Sequence, residues 1–177
     1  MPQKTEIRIS GHGGQGAILA GQILGKAAVL DGKKALQTQA YGAEARGSLA
    51  RSEVIISDGR IGFPAVRKCD ILVAMNQESL DKHLSALREN GVLIVDSSVE
   101  KIPETKAKVF KVPATETAKK TFGDSMYANM IILGALTKIT KLPTSPTANA
   151  TTDKSATKKK TGSSGMPTLS QKSAPKK

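Results

Sequence analysis

The sequence is poor in the residues that carry redox and metal chemistry. Its 177 residues include one cysteine, Cys69, which excludes an intrachain disulfide and an iron–sulfur cluster ligated by this chain's cysteines alone. The two histidines, His12 and His83, have no partners at metal-ligand spacing, which argues against a structural zinc site. We therefore expect no metal centre in this chain, and we expect Cys69 to be a small buried apolar residue rather than a nucleophile.

Long apolar runs are also absent. No stretch approaches the roughly 20 apolar residues of a membrane-spanning helix, and the N-terminus lacks the charged-then-apolar pattern of a signal peptide. The sequence therefore predicts a cytoplasmic protein with no membrane partner.

Recognisable catalytic motifs are missing as well. Ser10, Ser48 and Ser125 have no evident histidine partner, and none of them stands in a G-x-S-x-G elbow. Asp70 and Asp96 fall at the ends of predicted strands, where acids commonly terminate strands or cap turns. We therefore predict no catalytic residue in this chain.

The composition changes sharply after residue 142. Residues 143–177 have almost no large apolar side chains, so they cannot bury enough surface to offset the entropy cost of ordering. We predict one folded domain over residues 1–142 and a low-complexity, disordered basic tail over residues 143–177. The net charge is +12, and the tail holds seven lysines against the single acid Asp153. This charge either keeps the protein in solution or attracts nucleic acid without sequence specificity.

Short β-branched or apolar runs alternate with helix-like stretches along residues 1–142. Strands are predicted at residues 6–10, 35–41, 52–57, 69–75, 92–96 and 108–114, and helices at 15–30, 76–89, 115–122 and 124–139. This order predicts an α/β fold, a Rossmann-like three-layer sandwich with a mostly parallel sheet. Because residues 52–62 resemble a hairpin, we expect the sheet to be mixed.

Three glycines and one helix carry further expectations. Gly21 and Gly25, four residues apart, predict that the first helix lies close against the sheet, and Gly91 predicts a left-handed helix end. The helix at 124–139 is apolar nearly all round, so it is expected to be buried in the core or against a partner.

The segment "GHGGQG" at residues 11–16 follows a predicted strand and opens a helix. It matches G-x-G-x-x-G, in which glycines let backbone amides face an anion. A dinucleotide site also needs an acid at the end of the second strand, but Asp31 precedes that strand. No lysine follows the glycines, so this is not a nucleotide-hydrolysing P-loop. The segment is either a tight packing turn or a candidate anion loop, whose residues are Gly13, Gly14, Gln15 and Gly16.

A second informative stretch is "YGAEARGS" at residues 41–48. Small residues and alternating charges suit a shaped contact surface, and Arg46 beside Gly47 suits a carboxylate or phosphate. The alternative is a solvated loop whose charges neutralise each other.

Together these stretches resemble the gamma subunit of 2-oxoacid:ferredoxin oxidoreductases, the family of the pyruvate and 2-oxoglutarate enzymes. The resemblance also covers "SEVIIS", "DILVAMN" and "DSMYANMIILGAL", so it extends over nearly all of residues 6–140. The residues around Tyr41 are most similar to the 2-oxoglutarate or broad 2-oxoacid branch. Two positions depart from the pattern: Ser48 stands where a second glycine is preferred, and the tail follows directly after Lys141.

The resemblance implies an enzyme that oxidatively decarboxylates a 2-oxoacid to its acyl-CoA and reduces ferredoxin. Thiamine diphosphate is then expected on alpha and beta subunits, iron–sulfur clusters on beta or delta-type parts, and CoA as co-substrate. This chain is expected to be a structural, non-catalytic component that shapes the approach of CoA. The implied contact to the catalytic subunits consists of Tyr41, Gly42, Glu44, Arg46 and Gly47.

Two other functions remain open on the residues alone. The strand, glycine loop and helix also suit a stand-alone nucleotide- or CoA-binding protein. The seven lysines of the tail also suit a protein that binds nucleic acid or anionic surfaces through that tail.

Overall fold

The computed structural model of the chain describes residues 3–42 and 48–142. The strands are β1 (Lys4–His12), β2 (Lys34–Tyr41), β3 (Leu49–Ser57), β4 (Cys69–Ala74), β5 (Leu87–Asp96) and β6 (Lys108–Val112). The α-helices are α1 (Ala17–Leu30), α2 (Gln77–His83), α3 (Ala114–Phe122) and α4 (Ala128–Thr140). Short 3₁₀ turns follow α2 at Leu84–Ala86 and precede α4 at Ser125–Tyr127. The predicted tail over residues 143–177 lies outside these ranges.

The six strands form one mixed sheet in the order β2-β3-β1-β4-β5-β6. β1, β4, β5 and β6 run parallel to one another, whereas β3 is antiparallel to both of its neighbours, β1 and β2. The expectation of a mostly parallel, mixed α/β sheet is confirmed. The hairpin predicted at residues 52–62, from which the mixed sheet was inferred, was wrong. The antiparallel partners of residues 52–57 are β1 and β2 rather than the residues that follow.

Helices cover both faces of this sheet, which gives three layers. On one face α1, α3 and α4 pack on apolar side chains of the central strands, including Ile7, Ile9 and Val73. On the other face Leu80 of α2 and Val99 pack against side chains from β3, β4 and β5. Such double coverage explains why β4 and the second half of β5 are nearly continuous apolar runs.

The predicted helix over residues 76–89 is shorter in the structure. The α-helix ends at His83, and β5 already begins at Leu87, opposite Cys69. Gly91 is therefore a strand residue and not a left-handed helix end. A Cβ at Gly91 would lie 2.7 Å from the carbonyl oxygen of Asp70, so glycine is needed there for close approach between strands.

The two glycines of α1 differ in role. A Cβ on Gly21 would lie 2.7 Å from Ser52 Cβ, so the absence of a side chain lets α1 approach β3 as expected. A Cβ on Gly25 would meet nothing within 4 Å, so the packing role predicted for Gly25 is wrong.

Candidate functional site

The glycine loop lies at the carboxyl ends of the parallel strands, between β1 and β4. From β1 the chain passes through α1 on one face, and from β4 it passes through α2 on the other face. The gap between these strand ends is the point at which connections diverge, where open α/β sheets usually bind ligands.

The side chain of Gln15 bridges this gap. Its Oε1 accepts hydrogen bonds from the backbone N–H of His12 at 2.7 Å and from Nδ2 of Asn76 at 2.8 Å. Asn76 in turn caps α2, because its Oδ1 accepts from the backbone N–H of Ser79 at 2.8 Å. One glutamine therefore ties the end of β1 to the start of α2 across the gap between β1 and β4.

Gly14 and Gly16 meet the conformational demands of the loop. Both have positive φ, 95° and 75°, a region that L-amino acids with side chains rarely adopt. Gly16 also lies against α4, because a Cβ there would be 2.8 Å from Asn129 Cγ, and Asn129 Nδ2 donates to the Gly16 carbonyl at 3.4 Å. These glycines therefore close the turn and let α4 pack on the start of α1.

The structure brings the two informative stretches of sequence together. The backbone N–H of Gly13 donates to the carbonyl of Ser48 at 2.9 Å, and the N–H of Gly42 donates to the carbonyl of Leu49 at 2.8 Å. Tyr41, at the end of β2, is 65% exposed at the same end of the sheet. The other predicted contact residues, Glu44, Arg46 and Gly47, lie outside the described ranges.

The position of β3 argues against a dinucleotide site of the usual kind. In such a site the second strand neighbours the first, and its terminal acid reaches the ribose. Here β3 separates β1 from β2, which places their axes about 10 Å apart at the usual strand spacing. Asp31 follows α1, at the opposite end of the sheet from the glycine loop.

The remaining candidate groups have structural partners. Asp70 begins β4 and Asp96 ends β5, so these two carboxylates lie at opposite ends of the parallel sheet. Burial raises the pKa of Asp96, but hydrogen bonds from Ser98 and Thr115 outweigh burial and leave that pKa below its usual value. Burial raises the pKa of the Cys69 thiol to about 11, which is the opposite of what a nucleophile needs.

Sequence reasoning missed a group of buried polar side chains beneath α2, called the polar seam, which consists of Arg8, Ser10, Glu53, Ser79 and His83. Arg8 Nη2 lies 2.7 Å from Glu53 Oε1, and both side chains are more than nine-tenths buried. Ser10 Oγ donates to Ser79 Oγ at 3.2 Å, and the buried imidazole of His83 lies on the same face. The alternation of Glu6, Arg8 and Ser10 with isoleucines in β1 was the available signal, and it is easily mistaken for a solvent-facing edge.

The part of the chain that the structure describes has neither a metal-binding cluster nor a membrane-spanning helix. Residues 3–42 and 48–142 contain no group of three His, Cys, Asp or Glu side chains that could hold a metal ion. Over the same ranges no helix is long and apolar enough to cross a membrane.

Comparison with known proteins identifies relatives over most of the chain. The family model of pyruvate ferredoxin/flavodoxin oxidoreductase matches residues 6–165. The 2-oxoglutarate synthase subunit KorC of Methanocaldococcus jannaschii is 49% identical over 143 residues, which cover 78% of this chain and 76% of that subunit. The ketoisovalerate oxidoreductase subunit VorA of Methanothermobacter thermautotrophicus is 36% identical over 133 residues, which cover 75% of this chain but only 28% of that subunit.

A solved structure agrees with these relatives. The keto/oxoacid ferredoxin oxidoreductase gamma subunit from Geobacter sulfurreducens PCA has a TM-score of 0.69 and 46% identity, over 78% of this chain and 79% of that chain. The resemblance seen in the glycine loop and in "YGAEARGS" is therefore confirmed, and the chain belongs to the pyruvate ferredoxin/flavodoxin oxidoreductase family, among its gamma-type subunits.

Proposed function

We propose that this chain is the non-catalytic gamma subunit of a cytoplasmic complex that converts a 2-oxoacid, CoA and oxidised ferredoxin to an acyl-CoA, carbon dioxide and reduced ferredoxin. The names of the most similar relatives and of the family favour a 2-oxoglutarate- or pyruvate-type substrate. Thiamine diphosphate and the iron–sulfur clusters belong to the alpha, beta or delta-type subunits. The described residues of this chain suit neither group, because the single cysteine is buried and Asp70 and Asp96 lie at opposite ends of the sheet.

The observation that carries the proposal is the contact between the glycine loop and Ser48. It holds the Tyr41–Gly42 end of the β2–β3 connection beside the loop, so two stretches typical of the family form one surface. Tyr41 is an exposed aromatic side chain on that surface, and aromatic residues are enriched at the centres of protein interfaces. In this proposal Tyr41, Gly42, Glu44, Arg46 and Gly47 contact the catalytic subunits.

The candidate role of Gly13, Gly14, Gln15 and Gly16 in CoA binding belongs to the assembled complex. The support is the start of α1 directly after Gly16, because the first amides of a helix attract phosphate groups. The Gln15 bridge limits this role to a phosphate that lies outside the gap between β1 and β4. Calorimetric titration of CoA into the chain alone and into the complex tests it, with binding expected only in the complex.

Co-expression with the alpha and beta chains of the same organism tests the main proposal. We expect a complex on size-exclusion chromatography that reduces ferredoxin with a 2-oxoacid and CoA, and no turnover by the chain alone. Tyr41→Ala should reduce recovery of the complex, whereas Phe63→Ala, at another exposed aromatic residue, should not. Turnover by the isolated chain, or a folded chain that stays alone with every partner, would refute the proposal.

A further inference from the structure

The outer side of α1 is unusually apolar for a surface helix. Leu19, Ile23, Val29 and Leu30 are exposed, with Val29 and Leu30 at 56% and 62%. An open groove of about 620 Å³ runs between α1 and β2, and Val29, Leu30 and Ala35 are among its lining residues. A helix that is apolar on nearly all sides is normally covered on all sides.

The edge strand beside this helix is also uncovered. Within the described residues, β2 and β6 form the two edges of the sheet. β6 has five residues and carries Lys108 and Lys111, so it is short and charged, as protected edges usually are. β2 has eight residues and no charged side chain after Lys34, which leaves a long edge without that protection.

We propose that the α1–β2 face, defined by the exposed apolar residues of α1 and the outer edge of β2, is the main docking surface for another subunit of the oxidoreductase. This inference rests on the proposed function and names the surface through which the chain binds the other subunit. The α1–β2 face ends at Tyr41 and Gly42, so it is continuous with the contact residues proposed above. The partner presents an apolar surface with a carboxylate opposite Lys26, which lines the groove.

Charge argues against two other occupants of this face. Lys26 and Lys34 are the only charged side chains within α1 and β2, so a second copy of the chain would bring like charges together. The segment 143–177 carries seven lysines and almost no large apolar side chains, so it matches neither the charge nor the apolar character of the groove.

The relatives favour a different polypeptide as occupant. In the longer ketoisovalerate oxidoreductase subunit, the part similar to this chain is 28% of the whole, so the same fold occurs joined to a much larger polypeptide. A domain in that position has an interface with the rest of its chain, and an exposed apolar face with few charges suits such an interface.

The test compares two matched double variants in co-expression with the alpha and beta chains. Val29→Glu with Leu30→Glu adds two charges to the α1–β2 face, and Val109→Glu with Phe110→Glu adds two charges to the β6 edge. All four side chains are exposed, so both variants should fold, which circular dichroism and thermal melting check. We expect the first variant to weaken association about tenfold or more and the second to associate like the unmodified chain.

Hydrogen exchange gives a readout that needs no variant. Alternate amides of β2 point away from β3, and we expect them to exchange rapidly in the chain alone and slowly in the complex. Lys26→Glu should weaken association in the same direction as the double variant.

The outcomes separate this inference from the proposed function. If the unmodified chain forms no complex, both fall. If it forms a complex that tolerates Val29→Glu with Leu30→Glu and leaves β2 exchange unchanged, the docking surface is wrong while the proposed function stands. Light scattering that shows a dimer of the chain alone, broken by the same double variant, would overturn the heterologous partner in favour of a second copy.

Discussion

Asn76 donates a hydrogen bond through Nδ2 to Oε1 of Gln15 at 2.8 Å, across the gap between the ends of β1 and β4. The same Gln15 oxygen accepts from the backbone N–H of His12, so a single side-chain atom satisfies donors from two elements. In many α/β folds a ligand binds in this gap. Here a residue of the glycine loop occupies it, so the loop's structural role can be tested separately from any role in binding.

Replacing Gln15 with alanine should therefore destabilise the fold. Two partly buried donors lose their acceptor, and we expect a loss of about 1–3 kcal/mol in the free energy of unfolding. Urea denaturation followed by circular dichroism measures it. Gln22→Ala is the matched control, because Gln22 is exposed on α1 and should change stability by no more than about 0.5 kcal/mol. Equal effects of the two substitutions would show that the bridge contributes nothing.

Much of the fold was accessible from sequence because it depends on local pattern. The apolar runs at residues 69–75 and 92–96 are strands, and the glycine loop opens a helix. The order of the strands in the sheet could not be predicted in this way, because strand pairing joins residues that are distant in sequence. Nothing near Glu53 indicated that β3 lies between β1 and β2, or that Glu53 meets Arg8 inside the protein.

In the candidate site, too, the local sequence pattern predicted the residues, whereas long-range strand pairing determines their contacts. The loop residues were predicted from their spacing, but their contact with Ser48 depends on the register of β3 against β1. The early start of β5 was missed for a similar reason. Leu87 pairs with Cys69, and Arg88 forms ion pairs with Glu6 and Asp70, so long-range contacts end the helix before the end predicted at Gly91.

The two glycines Gly16 and Gly25 should respond oppositely to alanine. Gly16 has positive φ, and its added Cβ would collide with Asn129, so Gly16→Ala should cost about 1–3 kcal/mol. Gly25 is in the middle of α1, and a Cβ added there would meet nothing within 4 Å. Gly25→Ala should therefore raise the free energy of unfolding by about 0.5–1 kcal/mol. Thermal unfolding of both variants checks this. A stabilised Gly16→Ala variant would contradict the close approach of α4.

The buried ion pair of Arg8 and Glu53 should be costly to break and tolerant of joint replacement. Glu53→Ala leaves the Arg8 guanidinium buried without its carboxylate, which should cost about 3–5 kcal/mol. Arg8→Met combined with Glu53→Leu removes both charges and should recover most of that loss.

A double-mutant cycle by chemical denaturation measures this coupling. The control is Glu89→Ala, because the pair of Glu89 and Lys106 is exposed on both sides and should contribute less than about 1 kcal/mol. If the joint replacement were no more stable than Glu53→Ala alone, the pair would not be the source of the loss.

His83 makes the stability of the fold depend on pH. Burial lowers the pKa of His83 from 6.5 to about 4, and the nearby positive charges of Arg8 and Arg51 act in the same direction. Between these two pH values the unfolded chain binds a proton that the folded chain does not. The contribution of His83 is therefore fully present above pH 6.5 and is lost as the pH falls toward 4.

The expected loss reaches about 3 kcal/mol, because each unit of pKa difference corresponds to about 1.4 kcal/mol. Unfolding free energies measured from pH 7.5 to 4.5 should fall for the unmodified chain and fall much less for His83→Gln. Gln22→Ala is the control, since it changes an exposed side chain that has no titratable group and should leave the slope unchanged. An identical slope in His83→Gln would mean that another group governs this pH range. Arg8 and Glu53 lie near His83 in the polar seam. The slope of unfolding free energy against pH therefore also reports whether water is excluded from this group of side chains.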